Sequence, residues 1–205
     1  MPKVTEAHLE ARRSQILAAA ASCFAHKGFH QCTMDDICRQ AQLSPGAVYR
    51  YFPSKEEIIG AMAEEGRQRS LALIEAAHER GDTLAVLDEL ARAFFGMLED
   101  AQACALDIEL SAEALRSPAI MEMGRRSLHS VRGAFGEIVR AAQERGEINR
   151  ALDPDAVAMV MMSFYHGLML QIVIDPVVDV QTYVAAMKAM MKGTFWIGKK
   201  QEGSD

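Results

Sequence analysis

The sequence predicts an all-α protein. Only six prolines occur in 205 residues, no stretch alternates apolar and polar residues as a strand does, and Ala, Leu, Met and Glu fill the windows, which favours helix. Half the residues are hydrophobic, enough for a sizeable core. The length exceeds one average domain and falls short of two, so a small domain fused to a larger one is expected. About nine helices are expected, three in a compact head and the rest in a larger body.

The first helix is expected over about residues 8–27, where Ile16, Ala20, Cys23 and Phe24 form an apolar stripe and Gly28 ends it. Thr33 stands as the cap of the second, with Asp36 completing a capping-box pattern and Met34, Ile37, Cys38 and Ala41 on one face. Ser44 caps the third, and Pro45 follows at the first helical position, where its missing N–H is harmless. Only Ala41, Gln42 and Leu43 lie between them, the short connection that joins the helices of a helix-turn-helix. The third helix, Gly46 to Tyr51, carries no acidic residue, which suits an element lying against phosphates. Ser54 caps the fourth with Glu57 at the capping-box position. Lys55 then sits in a first turn, where the helix dipole disfavours a cation. An anion from outside the protein is the sharper explanation, an exposed and screened lysine the plainer one.

The fourth helix runs to about residue 80 with Ile58, Ile59, Met62, Leu71 and Ile74 on it. Gly66 in its middle costs about 1 kcal/mol against alanine and marks a bend or close packing. Residues 83–99 form the fifth, with Leu84, Leu87, Leu90, Phe94, Phe95 and Leu98 on a broad apolar face. The sixth covers about residues 104–116, and Ser117-Pro118 opens the seventh, which Gly146 stops. Asp153-Pro154 opens the eighth, which is apolar almost all round over residues 155–174 and must be covered on every side, by the body or by a second subunit. The ninth is expected over about residues 180–197. These last two helices are the candidates for a self-complementary homodimer interface, through Val160, Phe164, Leu168, Met187, Met191 and Phe195.

The net charge of −6 hides an asymmetry: residues 1–55 hold seven Lys/Arg against four acids, a balance of +3, and residues 56–205 balance at −9. A basic head on an acidic body fits nucleic-acid binding confined to the head. The four cysteines make no C-x-x-C pair and follow no secretory signal, so a cytoplasmic setting with buried free thiols is expected; redox sensing through Cys32 and Cys38 is the lesser alternative. No apolar run reaches about 18 uninterrupted residues, so no membrane partner is expected.

Groups in the head divide by position. Ser44, Pro45, Gly46 and Ala47 open the third helix toward base edges of double-stranded DNA, and the small residues let the backbone approach closely. Tyr49, Arg50 and Tyr51 are larger, giving phosphate contacts and one base contact from Arg50 or Tyr49. Thr33, at a helix start, is a phosphate site. In the body, Phe94, Phe95, Leu98, Met121, Met123, His129, Phe135, Met159, Met162, Tyr165, His166 and Met169 form the candidate effector-binding set, since Met-rich, aromatic-lined surfaces adapt to apolar ligands. A Met stripe at helical spacing is nonetheless more often simple core packing. Tyr165 and His166 are the most suggestive, as polar tips on an otherwise apolar helix that want partners.

The segment RRSQILAAAASCFAHKGFHQCTMDDICRQAQLSPGAVYRYFPSKEEI resembles the DNA-binding head of the TetR family of one-component transcriptional regulators, over about residues 9–62. The specific features are a helix ending in Phe-x-x-x-Gly-Phe, a Thr-opened helix, and Tyr-x-Tyr-Phe-x-Ser-Lys-Glu. Later helices are similar to the family only in number, length and order. The resemblance implies a helix-turn-helix DNA-binding domain at residues 1–54 and an effector-binding and dimerisation domain at 55–205. It further implies a cytoplasmic homodimeric repressor released from a palindromic operator by a small apolar or amphipathic molecule, with Thr33, Tyr49, Tyr51 and Lys55 on the DNA backbone. Asp35 departs from the founding members, which carry a basic residue there; orienting Arg39 is favoured over accepting from a cytosine amino group. The competing reading is a helical-bundle ligand- or metal-binding protein with no DNA role. Glu75-x-x-His78 matches one element of a di-iron bundle, but such sites need a second copy plus two glutamates, which the sequence lacks. No enzyme activity, cofactor or metal is therefore expected.

Overall fold

The computed structural model describes residues 6–78, 83–175 and 177–191. Helices α1 (Glu6–Gln31), α2 (Met34–Ala41), α3 (Pro45–Tyr49), α4 (Lys55–His78) and α5 (Thr83–Gly96) lead to a 3-10 turn at Met97–Glu99. Then follow α6 (Ala101–Ala114), α7 (Pro118–Glu144), α8 (Pro154–Ile174) and α9 (Val180–Met191), with no strand among the described residues. The expected end of the fourth helix at residue 80, the last turns of the ninth, Phe195, and the side chains of His78, Leu84 and Met191 lie outside the described residues.

The chain forms two compact units, residues 1–68 with 100–128, and residues 69–99 with 129–205. This division follows packing and differs from the 54/55 boundary expected from the sequence, and α4 runs through both units. The core of the first unit gathers Ile16, Phe24, Ile37, Val48 and Ile58, with Leu106 of α6 and Ile120 of α7 joining them. Local signals set its helices. Thr33 Oγ1 accepts the Asp36 N–H at 3.1 Å while Asp36 Oδ2 accepts the Thr33 N–H at 3.0 Å, a complete capping box. Gln42 closes α2 in the left-handed region at φ 54°, and Ser44 Oγ accepts the Ala47 N–H at 3.3 Å to open α3.

Two glycines mark where helices break or pack closely. Gly28 (φ 74°, ψ 158°) breaks the helical backbone where the sequence placed the end of the first helix, and a further helical stretch follows it to Gln31. The tight glycine of α4 is Gly60, where an added Cβ would lie 2.8 Å from Met123 Sδ, whereas Gly66 has nothing within 4 Å. Spacing reveals that a glycine interrupts a helix but not which neighbour approaches it.

The second unit packs Ile74 of α4, Val86, Leu87 and Leu90 of α5, Val131, Phe135, Ile138 and Val139 of α7, and Ala158 of α8. Asp153 Oδ1 accepts the Ala156 N–H at 2.8 Å, with Pro154 behind it, so α8 starts where the cap and proline place it. Within one chain α8 is not covered on every side: only Ala158, Leu168 and Met169 are buried on it. Met159, Val160, Leu170, Val173 and Ile174 stand exposed. Leu168 (0% exposed) and Met187 (6%), expected at a subunit interface, are instead internal to this unit, because periodicity cannot say which neighbour covers an apolar side chain. By length and composition alone α8, with mean hydropathy 1.8 over its most apolar window, also reaches what a membrane span requires, which corrects the expectation that no segment does.

Candidate nucleic-acid interface and the aromatic cluster

The short α3 separates inward from outward groups at single-residue resolution. Val48 is fully buried, Tyr51 packs against the core, and Ala47 is half-buried. Ser44, Pro45, Gly46 and Arg50 are exposed and Tyr49 is 47% exposed. Thr33, at the start of α2, is exposed as well. An added Cβ at Gly46 meets nothing within 4 Å, and its φ is ordinary, so the fold itself does not require a glycine there. A glycine the fold does not need leaves room for another molecule's close approach.

Electrostatics around α2 centre on Asp36. Lys27 Nζ donates to its Oδ1 at 2.8 Å, Arg39 donates to the same oxygen, and Thr33 donates through N–H and hydroxyl. The Lys27 hydrogen bond first, and those from Thr33 next, hold the Asp36 carboxyl well below the usual carboxylate range. Arg39 is thus oriented by Asp36 and not, as expected, by Asp35, because the capping box has already turned the Asp36 carboxylate toward that face.

Lys55 has an internal explanation. Its Nζ donates to the Phe29 carbonyl at 2.6 Å and the Cys32 carbonyl at 2.9 Å, and lies 4.3 Å from the centre of the Phe29 ring. Carbonyls at the end of α1 offset the unfavourable dipole of α4, so the placement of Lys55 no longer requires an outside anion. From α6, Glu109 Oε1 accepts the Phe29 N–H at 2.9 Å, and the buried Glu113 pairs with His30 Nε2 at 2.7 Å. Residues 28–33 are therefore a junction where α1, α2, α4 and α6 meet. Sequence reading passed over Glu109 and Glu113; the available signal was two acids four apart on a helix whose neighbours Leu106 and Leu110 face a core.

The cysteines differ from expectation too. Cys23 and Cys32 form a disulfide, with Cα atoms 6.1 Å apart, so these two are not free thiols and the pairing is not Cys32 with Cys38. Burial, and then Asp35, push the Cys38 thiol up; burial, then Asp107 and Asp100, do the same at Cys104.

In the second unit the rings form a chain of contacts. Phe94 lies 5.6 Å from Phe135 and 5.9 Å from Tyr165, Phe95 lies 6.3 Å from both Tyr165 and Tyr183, and Tyr183 lies 6.5 Å from Phe164. The structure thus brings Phe94, Phe95, Phe135 and Tyr165 of the candidate effector residues together and adds Tyr183, which was not among them. Tyr183 donates its hydroxyl to the Phe164 carbonyl at 3.1 Å, and burial pushes its phenol up. Leu98 (1% exposed) and Met169 (4%) are core, and Met162 packs beside the core. Met159, His129 and His166 lie on the exterior. His166 is not a buried polar tip: it is exposed, with Nδ1 2.8 Å from the Met162 carbonyl.

The sequence pattern of bacterial regulatory proteins of the tetR family matches residues 16–62. That of the BetI-type transcriptional repressor C-terminal region matches residues 83–195, more than half the chain. The chain belongs to the TetR family. The HTH-type transcriptional regulator UidR of Escherichia coli K12 is 28% identical over 185 residues, covering 88% of this chain and 91% of UidR. Salmonella enterica GusR superposes with a TM-score of 0.78 at 28% identity, covering 93% of this chain and 97% of GusR. At 20% identity, the fatty acid degradation regulator FadR of Bacillus halodurans shares the fold, with a TM-score of 0.80 and coverage of 89% and 95%. TetR-family regulators are soluble, ligand-responsive DNA-binding repressors, generally without catalytic activity, and this chain is a transcriptional regulator of that kind.

Proposed function

We propose that this protein is a cytoplasmic homodimeric repressor whose two α3 helices enter successive major grooves of a pseudo-palindromic operator, about 34 Å apart. A small apolar or amphipathic effector would release it. The observation that carries the reading is the exposed, acid-free surface of Ser44, Pro45, Gly46, Tyr49 and Arg50 around a glycine the fold does not need. In this reading residues 1–54 are the DNA-binding domain and 55–205 the effector-binding and dimerisation domain. Pro45, Gly46 and Ala47 approach base edges, Ser44 caps the helix that presents them, Arg50 or Tyr49 reads one base, and Thr33 and Tyr51 hold phosphates. Lys55 acts on the DNA indirectly, by fixing the junction from which Thr33 is presented.

The dimer forms through the exposed face of α8, where Val160, Leu170 and Ile174 stand uncovered, together with Met190 of α9. The effector belongs with the aromatic cluster of Phe94, Phe95 and Tyr165; a protein of the same fold, SmeT, has been seen in complex with triclosan. Effector release requires a coupling of about 1–3 kcal/mol, a 5- to 150-fold change in DNA affinity. A thermal-shift screen of hydrophobic metabolites, dyes and drugs, followed by anisotropy on DNA from the gene's own upstream region, tests this. A ligand that raises Tm should also lower DNA affinity at least about fivefold; stabilising ligands that leave DNA binding untouched would overturn the effector reading.

A further inference from the structure

We infer that Cys23 and Cys32 form a redox modification site, reversibly oxidised by low-molecular-weight disulfides, that sets the rigidity of the α1–α2 junction. The inference rests on the DNA-binding reading in one respect. A DNA-binding regulator works where glutathione and thioredoxin keep thiols reduced, and disulfides formed there are usually transient and redox-sensing rather than structural.

Position supplies the rest. The bridge joins cysteines nine positions apart and encloses the Gly28 kink together with Phe29 and His30. These are the groups gripped by Lys55 of α4 and by Glu109 and Glu113 of α6. Cys32 directly precedes Thr33, whose capping box opens α2. Their Cα separation of 6.1 Å lies within the ordinary span of a disulfide, so bridge formation calls for no rearrangement of the backbone.

Both cysteines are buried, Cys32 completely and Cys23 to 8% exposure, and Cys23 borders an open groove of about 420 Å³ that it shares with His26, Lys27, Asp36 and Arg39. Cys23, which borders that groove, is the nearer of the two to solvent and in this proposal reacts first, once the groove side of α1 opens slightly. Its thiolate attacks one sulfur of RSSR, whose S–S bond breaks as RS⁻ leaves and takes up a proton. The Cys32 thiolate then attacks the Cys23 sulfur of the mixed disulfide, closing the bridge and releasing a second RSH. Two electrons pass from the protein dithiol to RSSR, and an excess of RSH reverses both steps. Cys38 is a poor competitor, since its raised pKa keeps it protonated. The bridged head has Thr33 capped and Lys55 seated, so closing the bridge pre-organises the DNA-facing start of α2.

The test uses full-length protein equilibrated with oxidised glutathione or with dithiothreitol. Peptide mapping of the oxidised sample should show Cys23 linked to Cys32, in wild type and in Cys38→Ser alike. The bridged form should bind its upstream DNA about threefold or more tightly than the dithiol form and melt about 5 °C higher, and both differences should vanish in Cys23→Ser. Failure of the folded protein to form this bridge, or equal or weaker DNA binding by the bridged form, overturns the inference. If neither form prefers any fragment over random DNA, the DNA-binding reading is what fails. The site is then decided by the link and the melting shift, and loss of either overturns it.

Discussion

Gly46 separates folding from function at one atom. Alanine there has open space and suits a helix better by about 1 kcal/mol, so Gly46→Ala should keep or raise the melting temperature. In the proposed complex the same methyl would stand between the α3 backbone and a base edge, so affinity for the operator should fall by about tenfold or more, in the range of one base contact. A variant that binds normally would remove α3's first turn from the DNA. Lys55→Ala should lower both Tm and operator affinity yet leave the dependence of affinity on salt unchanged, since its ammonium is held by Phe29 and Cys32. A slope reduced by about one would instead mark a phosphate contact. Asp36 makes a pH prediction. Its folded-state pKa is depressed, so the stability it contributes is present at neutral pH and is lost as pH falls below about 4 toward the folded value. The Tm gap between wild type and Asp36→Asn should therefore narrow from pH 7 to pH 3; a constant gap would assign Asp36 a role independent of charge. Caps and turn residues of this kind were legible in the sequence because each acts within four residues of itself. The partners of Lys55, Arg39 and Cys32 were not, because they arrive from segments distant along the chain or compete at adjacent positions.

At the scale of elements, α8 shows where sequence reading reaches its limit. Its start at Asp153-Pro154 and its near-continuous apolar character were both evident, and the second implied cover from somewhere. Folding of one chain supplies that cover to Leu168 and leaves Val160, Leu170 and Ile174 exposed. Val160→Glu should thus convert the protein to monomers by light scattering while each chain keeps its helical circular dichroism. Leu168→Glu should instead unfold the second unit, since it places an unpaired charge in a core. A dimer that survives Val160→Glu would move the interface to another surface. The candidate effector residues divide in the same way: Phe94, Phe95 and Tyr165 converge because α5 and α8 present them to each other, whereas Met159 and His166 occupy the other side of α8. A helix with so little polar residue around its circumference carries almost no signal for which side faces inward.

Charge is uneven along the sequence, with +3 in residues 1–55 and −9 in the remainder. That distribution suits nucleic-acid attraction to the first segment while the net charge stays negative, which favours solubility. The Gly28–Thr33 junction gives a physical route for coupling inside the first unit, since α4 and α6 both hold the segment that presents Thr33. The most direct test of this account is fluorescence anisotropy of the full-length protein on tiled fragments of its own upstream DNA, at physiological salt and with stoichiometry determined. The account predicts that one fragment, containing half-sites about 10 base pairs apart, binds two chains at least about 10³-fold more tightly than random DNA. Binding no tighter than random DNA on every fragment would contradict it.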